Sequence, residues 1–264
     1  MRYKLVVTDL DGTLLDDRKN VSKANLEAIK RIRDAGVLFT VATGRGERGA
    51  RPLLELLKPD VPAILFNGCE IFEMGKGPIY SEYLPKTIAD MVVDHFLKTE
   101  FGIIGFLHDK IFLVGYKPAH EIYLKREKVA YEVVDDLRHL DAVNKVMVVG
   151  DVPRAMEMMG ELEKKEGINL NCVKTEDFYY EVLPDGVSKG EGLKKLCEIL
   201  GIERESVIAI GDNMNDLSMI NFAGLGVAVE NAEEPVKKAA KLVVPSNNDD
   251  GVAYLLNKLA EGEL

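Results

Sequence analysis

Short apolar runs that end in Gly, Asp, Thr or Asn, each followed by a helical stripe, recur at both ends of this chain and constrain its fold more than any other feature. Residues 4–7 form the first such run and end in Thr8-Asp9-Leu10-Asp11-Gly12-Thr13. Ser22 then offers a helix cap, Leu26, Ile29 and Ile32 share one face, and Gly36 marks a stop. Residues 37–42 form a second apolar strand that runs into Thr43-Gly44-Arg45 and a helix through 53–57, and residues 63–66 form a third, ending at Asn67-Gly68. The rhythm returns late, with helices over 188–200, 214–223, 234–240 and 250–260 separated by strands at 207–210, 225–229 and 242–244. Such alternation predicts a parallel sheet with right-handed crossovers, so the two ends belong to one α/β domain.

The middle of the chain reads differently. Helices at 86–98, after Pro118 and at 153–166 are mixed with strand-like runs at 102–107, 111–116, 145–149, near 168–174 and at 178–183. Gly75-Lys76-Gly77-Pro78 predicts a hairpin on the edge of the core, and Pro85 and Pro184 bracket the insert. The expected organisation is a core of 1–82 and 185–264 with an inserted α+β domain, 83–184.

A net charge of -10 opposes polyanions, and no basic stripe offsets it, so no nucleic-acid partner is expected. Charges interrupt every apolar run well before the ~20 residues of a membrane span, so no membrane association is expected either. The N-terminal stretch reaches Asp9 before a signal-peptide core is complete, which predicts a cytoplasmic location. Cys69, Cys172 and Cys197 lack a C-x-x-C pair and read as reduced thiols. His95, His108, His120 and His139 lack metal-ligand spacing.

Asp9 and Asp11 stand two apart at the carboxyl end of the first strand, where open α/β sheets bind ligands. Alone they would be an acidic turn. A second cluster, Gly211-Asp212-Asn213-Met214-Asn215-Asp216, ends another apolar strand, and hard oxygen ligands converging from two strand ends suit Mg²⁺. Thr43 beside Gly44, and Lys189 in Val187-Ser188-Lys189-Gly190, add a hydroxyl, helix-terminal amides and an ammonium. These are the groups that balance the charge of a phosphoryl group in transfer.

In the order D-x-D-G-T, T-G, K, G-D-x-x-N-D, the sequence resembles the haloacid dehalogenase superfamily of phosphohydrolases. Over essentially the whole chain it resembles the Cof-type branch, subfamily IIB, which the stretches 9–15, 42–45, Asn67-Gly68 and 186–190 all match. Only one loop, one helix and one strand fit between Asp11 and Thr43. The insert therefore lies between Gly68 and Lys189, at the position of a C2 cap. The resemblance implies a Rossmann-like parallel-sheet core with a C2-type cap tethered near 82–85 and 183–186 and hanging over the crevice. It implies that Asp9 is the nucleophile forming an aspartyl-phosphate and that Asp11 is the general acid and base. Mg²⁺ would be held by the Asp9 and Asp212 carboxylates and the Asp11 backbone carbonyl, with Asp216 acting directly or through another ligand. Leu10, Thr43, Gly44, Arg45, Lys189 and Asn215 would bind the phosphoryl group or substrate, and Glu181 is a candidate for orienting Lys189. The implied substrate is a small phosphorylated metabolite, such as a sugar phosphate or phosphoglycolate, and the implied assembly a monomer or homodimer.

Other readings use the same residues. A phosphomutase would differ in passing the phosphoryl group to a sugar and not to water. Gly44-Arg45-Gly46-Glu47-Arg48-Gly49, with Glu70 further on, matches a dinucleotide-binding fingerprint and so an NAD-dependent oxidoreductase, but the fingerprint belongs on the first strand and here follows the second. A signalling receiver domain would leave the insert without a purpose. A cysteine phosphatase is excluded because no Cys is followed by Arg at the sixth position.

Overall fold

The computed structural model describes residues 2–127 and 129–264; Met1, the start of the expected core range, lies outside them. Along the chain run β1 (Leu5–Thr8), α1 (Lys23–Asp34), β2 (Leu38–Val41), α2 (Glu47–Leu57), β3 (Ala63–Leu65), β4 (Glu70–Glu73) and β5 (Gly77–Ser81). There follow α3 (Lys86–Phe96), β6 (Gly102–Leu107), β7 (Lys110–Val114), α4 (His120–Glu127), β8 (Glu132–Val134), β9 (Lys145–Val149), α5 (Val152–Glu166), β10 (Asn171–Glu176) and β11 (Tyr179–Leu183). The chain closes with α6 (Lys189–Leu200), β12 (Val207–Gly211), α7 (Leu217–Phe222), β13 (Leu225–Val229), α8 (Glu234–Ala239), β14 (Leu242–Val244) and α9 (Gly251–Ala260).

Contacts divide these elements into two units. The first holds the residues up to Gly44, Pro52–Ile79 and Ser188–Leu264; the second holds Arg45–Arg51 and Tyr80–Val187. In the first unit, β14-β13-β12-β1-β2 form one parallel sheet. Its central strands read as unbroken apolar runs because both faces are buried. Thr8 pairs with Ile210 on one side and Val41 on the other, so three strands end level. The amide of Asp9 continues the ladder to the Ile210 carbonyl at 2.9 Å, and that of Ala42 to the Thr8 carbonyl at 2.9 Å. Asp9, Thr43 and Asp212 thus leave the sheet at one edge. Ser22 caps α1 by accepting from the Asn25 amide, and Ala28, Ile29 and Ile32 form its buried stripe.

The third apolar run follows the second in parallel, as the alternation suggests, and then leaves the sheet. β3 lies parallel to the end of β2, through the bridge Ala42↔Ile64 and the Thr43 amide donating to the Ile64 carbonyl at 2.9 Å, and it also opens a three-stranded sheet, β3-β4-β5, whose first pair is antiparallel. After it, Phe66, Asn67 and Gly68 take φ of 52°, 56° and 104°, which folds β4 back along β3.

In the second unit, β10-β11-β9-β6-β7-β8 form a sheet that is antiparallel except for the β7–β8 pair. Alternate residues of its strands, Ile103, Phe112, Val146, Val148 and Val182, join Val92, Phe96 and Met159 of α3 and α5 in one core. The other parity carries Lys145 and Glu181, both buried, with Lys145 Nζ donating to Glu181 Oε1 at 2.6 Å. Glu181 therefore serves Lys145, and the expectation that it orients Lys189 is corrected. The edge strand β8 carries too little apolar alternation to be read from sequence.

Candidate active site

The carboxyl edge of the parallel sheet gathers Asp9, Asp11, Asp212 and Asp216 with the buried Lys189. Lys189, the first residue of α6, is 1% exposed, and its Nζ donates to Asp9 Oδ1 at 2.6 Å and to Asp216 Oδ1 at 2.5 Å. Asp216 Oδ2 accepts from the amides of Asp212 and Asn213 at 2.9 and 3.0 Å, so both of its oxygens are engaged, one by Lys189 and one by its own loop. Asp212 Oδ1 accepts from the Thr13 hydroxyl at 2.6 Å. Gly12, at φ 83°, passes so close that a Cβ there would lie 2.5 Å from Asp212 Oδ2. The glycine of D-x-D-G-T is thus required by conformation and by space alike.

Oxygens of Asp9, Asp212 and Asp216 lie within 4.8 Å of one another. Burial pushes the Asp9 carboxyl well above its usual range; Lys189 opposes this, and the charges of Asp216, Asp212 and Asp11 reinforce it. Burial, together with Asp216, raises Asp212 to about 7 against the opposing bond from Thr13. Burial alone would lower the Lys189 ammonium, but Asp216 and Asp9 hold it well above its ordinary value. One ammonium does not neutralise this cluster. Three closely set carboxylates, of which Asp9 and Asp212 are pushed up chiefly by burial, are a donor set that fits a small divalent cation.

The other expected residues fall as follows. Asp11 turns its carboxylate to Lys19, with Nζ to Oδ1 at 2.8 Å, and stands outside the three-carboxylate group. Leu10 is fully buried, its carbonyl accepting from the amides of Thr13 and Leu15. Thr43 is 1% exposed; its amide donates to the Ile64 carbonyl and its carbonyl accepts from Asn67. A Cβ on Gly44 would lie 3.2 Å from the Asn67 side-chain amide. Asn215 donates from Nδ2 to Asn67 Oδ1 at 2.9 Å. Arg45 groups with the second unit, where its guanidinium donates to the Gly49 carbonyl at 3.2 Å and lies 3.9 Å from Glu127. Glu70 is fully buried, which withdraws it from the ribose contact a dinucleotide site would ask of it. Sequence reasoning assigned no role to Thr13, Lys19 or Asn67. Thr13 and Asn67 stood inside motifs already quoted, whereas Lys19 had no signal to mark it among the exposed charges.

A parallel sheet with buried acidic residues and a lysine at its carboxyl edge is an α/β core that carries the groups phosphoryl transfer calls on. The family model for haloacid dehalogenase-like hydrolases matches residues 6–256, and the chain belongs to that family. It is similar to 5-amino-6-(5-phospho-D-ribitylamino)uracil phosphatase of Bacillus subtilis, 31% identical over 98% of this chain and 99% of that protein. It is 28% identical to pyridoxal phosphate phosphatase of Escherichia coli, over 97% of this chain and 98% of that one. Among solved structures, a haloacid dehalogenase-like hydrolase from Bacteroides thetaiotaomicron superposes with a TM-score of 0.87 at 34% identity, covering 97% of this chain and 99% of that one. The chain is accordingly a Cof-type enzyme of the phosphoric monoester hydrolase class. Among the described residues no helix is long and apolar enough to cross a membrane.

Proposed function

We propose that the chain hydrolyses small phosphate monoesters with Mg²⁺, through an aspartyl-phosphate on Asp9. The observation that carries this reading is the buried Lys189 ammonium held between Asp9 and Asp216 beside Asp212. By bonding Oδ1, Lys189 fixes the rotation of the Asp9 carboxylate, so that its other oxygen attacks phosphorus in line. The P–O bond to the alcohol breaks as the new one forms, and Asp11 gives its proton to the departing oxygen. Asp11 then takes a proton from water, whose oxygen displaces Asp9 from phosphorus and releases inorganic phosphate. For this, Asp11 must exchange its contact with Lys19 for the leaving group. Thr43, Lys189 and Asn215 hold the phosphoryl oxygens, with Leu10 and Gly44 shaping the loops beside them. Mg²⁺, held by Asp9, Asp212 and the Asp11 carbonyl, supplies positive charge that keeps the carboxylates ionised and offsets their repulsion of phosphate. Asp216, with both oxygens engaged, supports Lys189 and the Asp212 loop.

Two relatives are named for small phosphorylated compounds. We extend that class to this chain, and neither compound in particular; sugar phosphates and phosphoglycolate fall within it. The test is release of inorganic phosphate from a panel of phosphorylated metabolites by the unaltered chain and by Asp9→Asn. Release that depends on Asp9 is expected. Equal release by both proteins would refute the mechanism, and transfer of phosphate to a second sugar in place of water would make the enzyme a mutase.

A further inference from the structure

One short turn in the first unit touches every segment to which the phosphatase reading assigns the phosphoryl oxygens. Phe66, Asn67 and Gly68 follow β3 with φ of 52°, 56° and 104°. For a side chain as bulky as Phe66 this backbone is a genuine outlier. Such conformations persist only where the surroundings over-determine them, and they cluster at functional sites.

Contacts with three segments bear on the turn. The Asn67 amide donates to the Thr43 carbonyl at 3.0 Å. Gly68 lies against the start of α6, where a Cβ on it would sit 2.2 Å from the Ser188 carbonyl oxygen, directly before Lys189. The third contact comes from a side chain: Asn67, 1% exposed, accepts through Oδ1 from Asn215 Nδ2 at 2.9 Å.

This last bond has a direction. Asn215 Oδ1 is buried with no hydrogen-bond partner among the described residues, so the bond from Nδ2 to Asn67 sets which way the amide faces. Turned over, the amide would set its own oxygen against that of Asn67. An amide nitrogen carries two protons, and committing one of them fixes the line of the other.

We propose that Asn67 is a positioning residue of the reaction, its Oδ1 orienting the Asn215 amide so that the second N–H meets a phosphoryl oxygen. The inference rests on the phosphatase reading and adds a residue to it. The competing role is that of a turn former, since Asn accepts left-handed backbone more readily than most residues. Asn67→Gly separates the two roles, because glycine keeps the left-handed backbone while the buried side chain, its acceptor included, is removed.

The experiment measures kcat and KM for p-nitrophenyl phosphate with Mg²⁺, together with melting temperature, in Asn67→Gly, Asn215→Ala and the double variant. Asn67→Gly is expected to fold with a lowered melting temperature, having lost a buried side chain, and to lose kcat by about tenfold to a hundredfold at a temperature where it is fully folded, the scale of one hydrogen bond to a charged group. The double variant is expected to be no slower than Asn215→Ala alone. Asn67→Asp, which keeps an acceptor and tolerates the same backbone, retains the coupling: adding Asn215→Ala to it lowers kcat by the factor seen in the unaltered chain. This arm decides the matter if the glycine variant is unstable. Full kcat in a folded Asn67→Gly, or losses that multiply in the double variant, would overturn the role of Asn67 and leave the phosphatase reading intact. An unaltered chain that releases phosphate from no ester would overturn both.

Discussion

Lys189 Nζ lies 2.6 Å from Asp9 Oδ1, and the two side chains are only 1% and 7% exposed. The same ammonium meets Asp216, so removing it leaves two buried carboxylates facing one another. Breaking a buried pair in this way typically costs ~3–5 kcal/mol. Lys189→Met should lose stability on that scale in metal-free buffer and lose turnover. Added Mg²⁺ should restore part of the stability, because it answers the same excess of negative charge, without restoring activity. Thermal melts with and without Mg²⁺ check this, and an unchanged melting temperature in metal-free buffer would count against the electrostatic account.

Asp11 is expected to matter in proportion to how badly the leaving group needs a proton. Asp11→Asn should slow hydrolysis of alkyl phosphates by ~10²–10⁴-fold and of activated aryl phosphates by much less. Parallel losses across leaving groups of different pKa would remove Asp11 from the role of acid.

The three carboxylates within 4.8 Å of one another lead to a prediction that needs no substrate. Mg²⁺ binding the folded chain should raise its stability by mass action, by about 2.7 kcal/mol at a hundredfold excess over Kd. Asp212→Asn should abolish that rise. In turnover, EDTA should silence the enzyme and Ca²⁺ should inhibit it, since Ca²⁺ takes 6–8 oxygens at longer range and would engage Asp9 through both of its oxygens. Full activity in EDTA would defeat the assignment.

Much of this was legible in the sequence, for physical reasons. β1 and β12 are buried on both faces, so they appear as unbroken apolar runs, and the polar residues just past them stand out as a site. Asp9, Thr43 and Asp212 follow strands that end level, which is why three separated motifs meet. What was not legible depends on backbone turns and on long-range partners. The return of the chain from β3 into β4 comes from left-handed residues at Phe66 and Asn67, where a side-chain pattern has nothing to report. Glu181 stood near Lys189 in sequence, yet its pleat parity turns it to Lys145. Nor does any periodicity place Lys19 on Asp11.

That pairing in the second unit leads to a stability prediction. Lys145 and Glu181 are each 2% exposed, and the Lys145 ammonium also lies 4.9 Å from the centre of the Phe106 ring. Glu181→Leu or Lys145→Met alone should destabilise the protein by about 3–5 kcal/mol, because each leaves a buried charge without its counterion. The double variant Lys145→Met/Glu181→Leu should be more stable than either single one, since the apolar replacements carry no desolvation cost. Denaturant melts of the three variants decide it, and simple addition of the two losses would show that the charges are not coupled.

His120 gives the second unit a dependence on pH. It is fully buried in α4; its Nε2 lies 3.0 Å from the Ile103 carbonyl oxygen, and its Nδ1 accepts from the Lys117 amide at 2.9 Å. The neutral ring with its proton on Nε2 satisfies both contacts, whereas a second proton on Nδ1 would point at the Lys117 N–H. Burial holds His120 below its ordinary value of 6.5, with the Ile103 contact opposing. The folded chain thus binds fewer protons here than the unfolded one. Stability from this residue is complete above about pH 6.5 and is lost as pH falls below it, until the folded ring itself titrates. His120→Asn should be less stable than the unaltered chain at pH 7.5, having lost a ring from a packed site. Between pH 6.5 and pH 5, however, its stability should decline less steeply, because no proton is taken up at this position on unfolding. Chemical denaturation of both proteins across that window measures the difference in slope. Parallel curves would mean that the ring is protonated to the same extent folded and unfolded, which the donated Lys117 amide forbids.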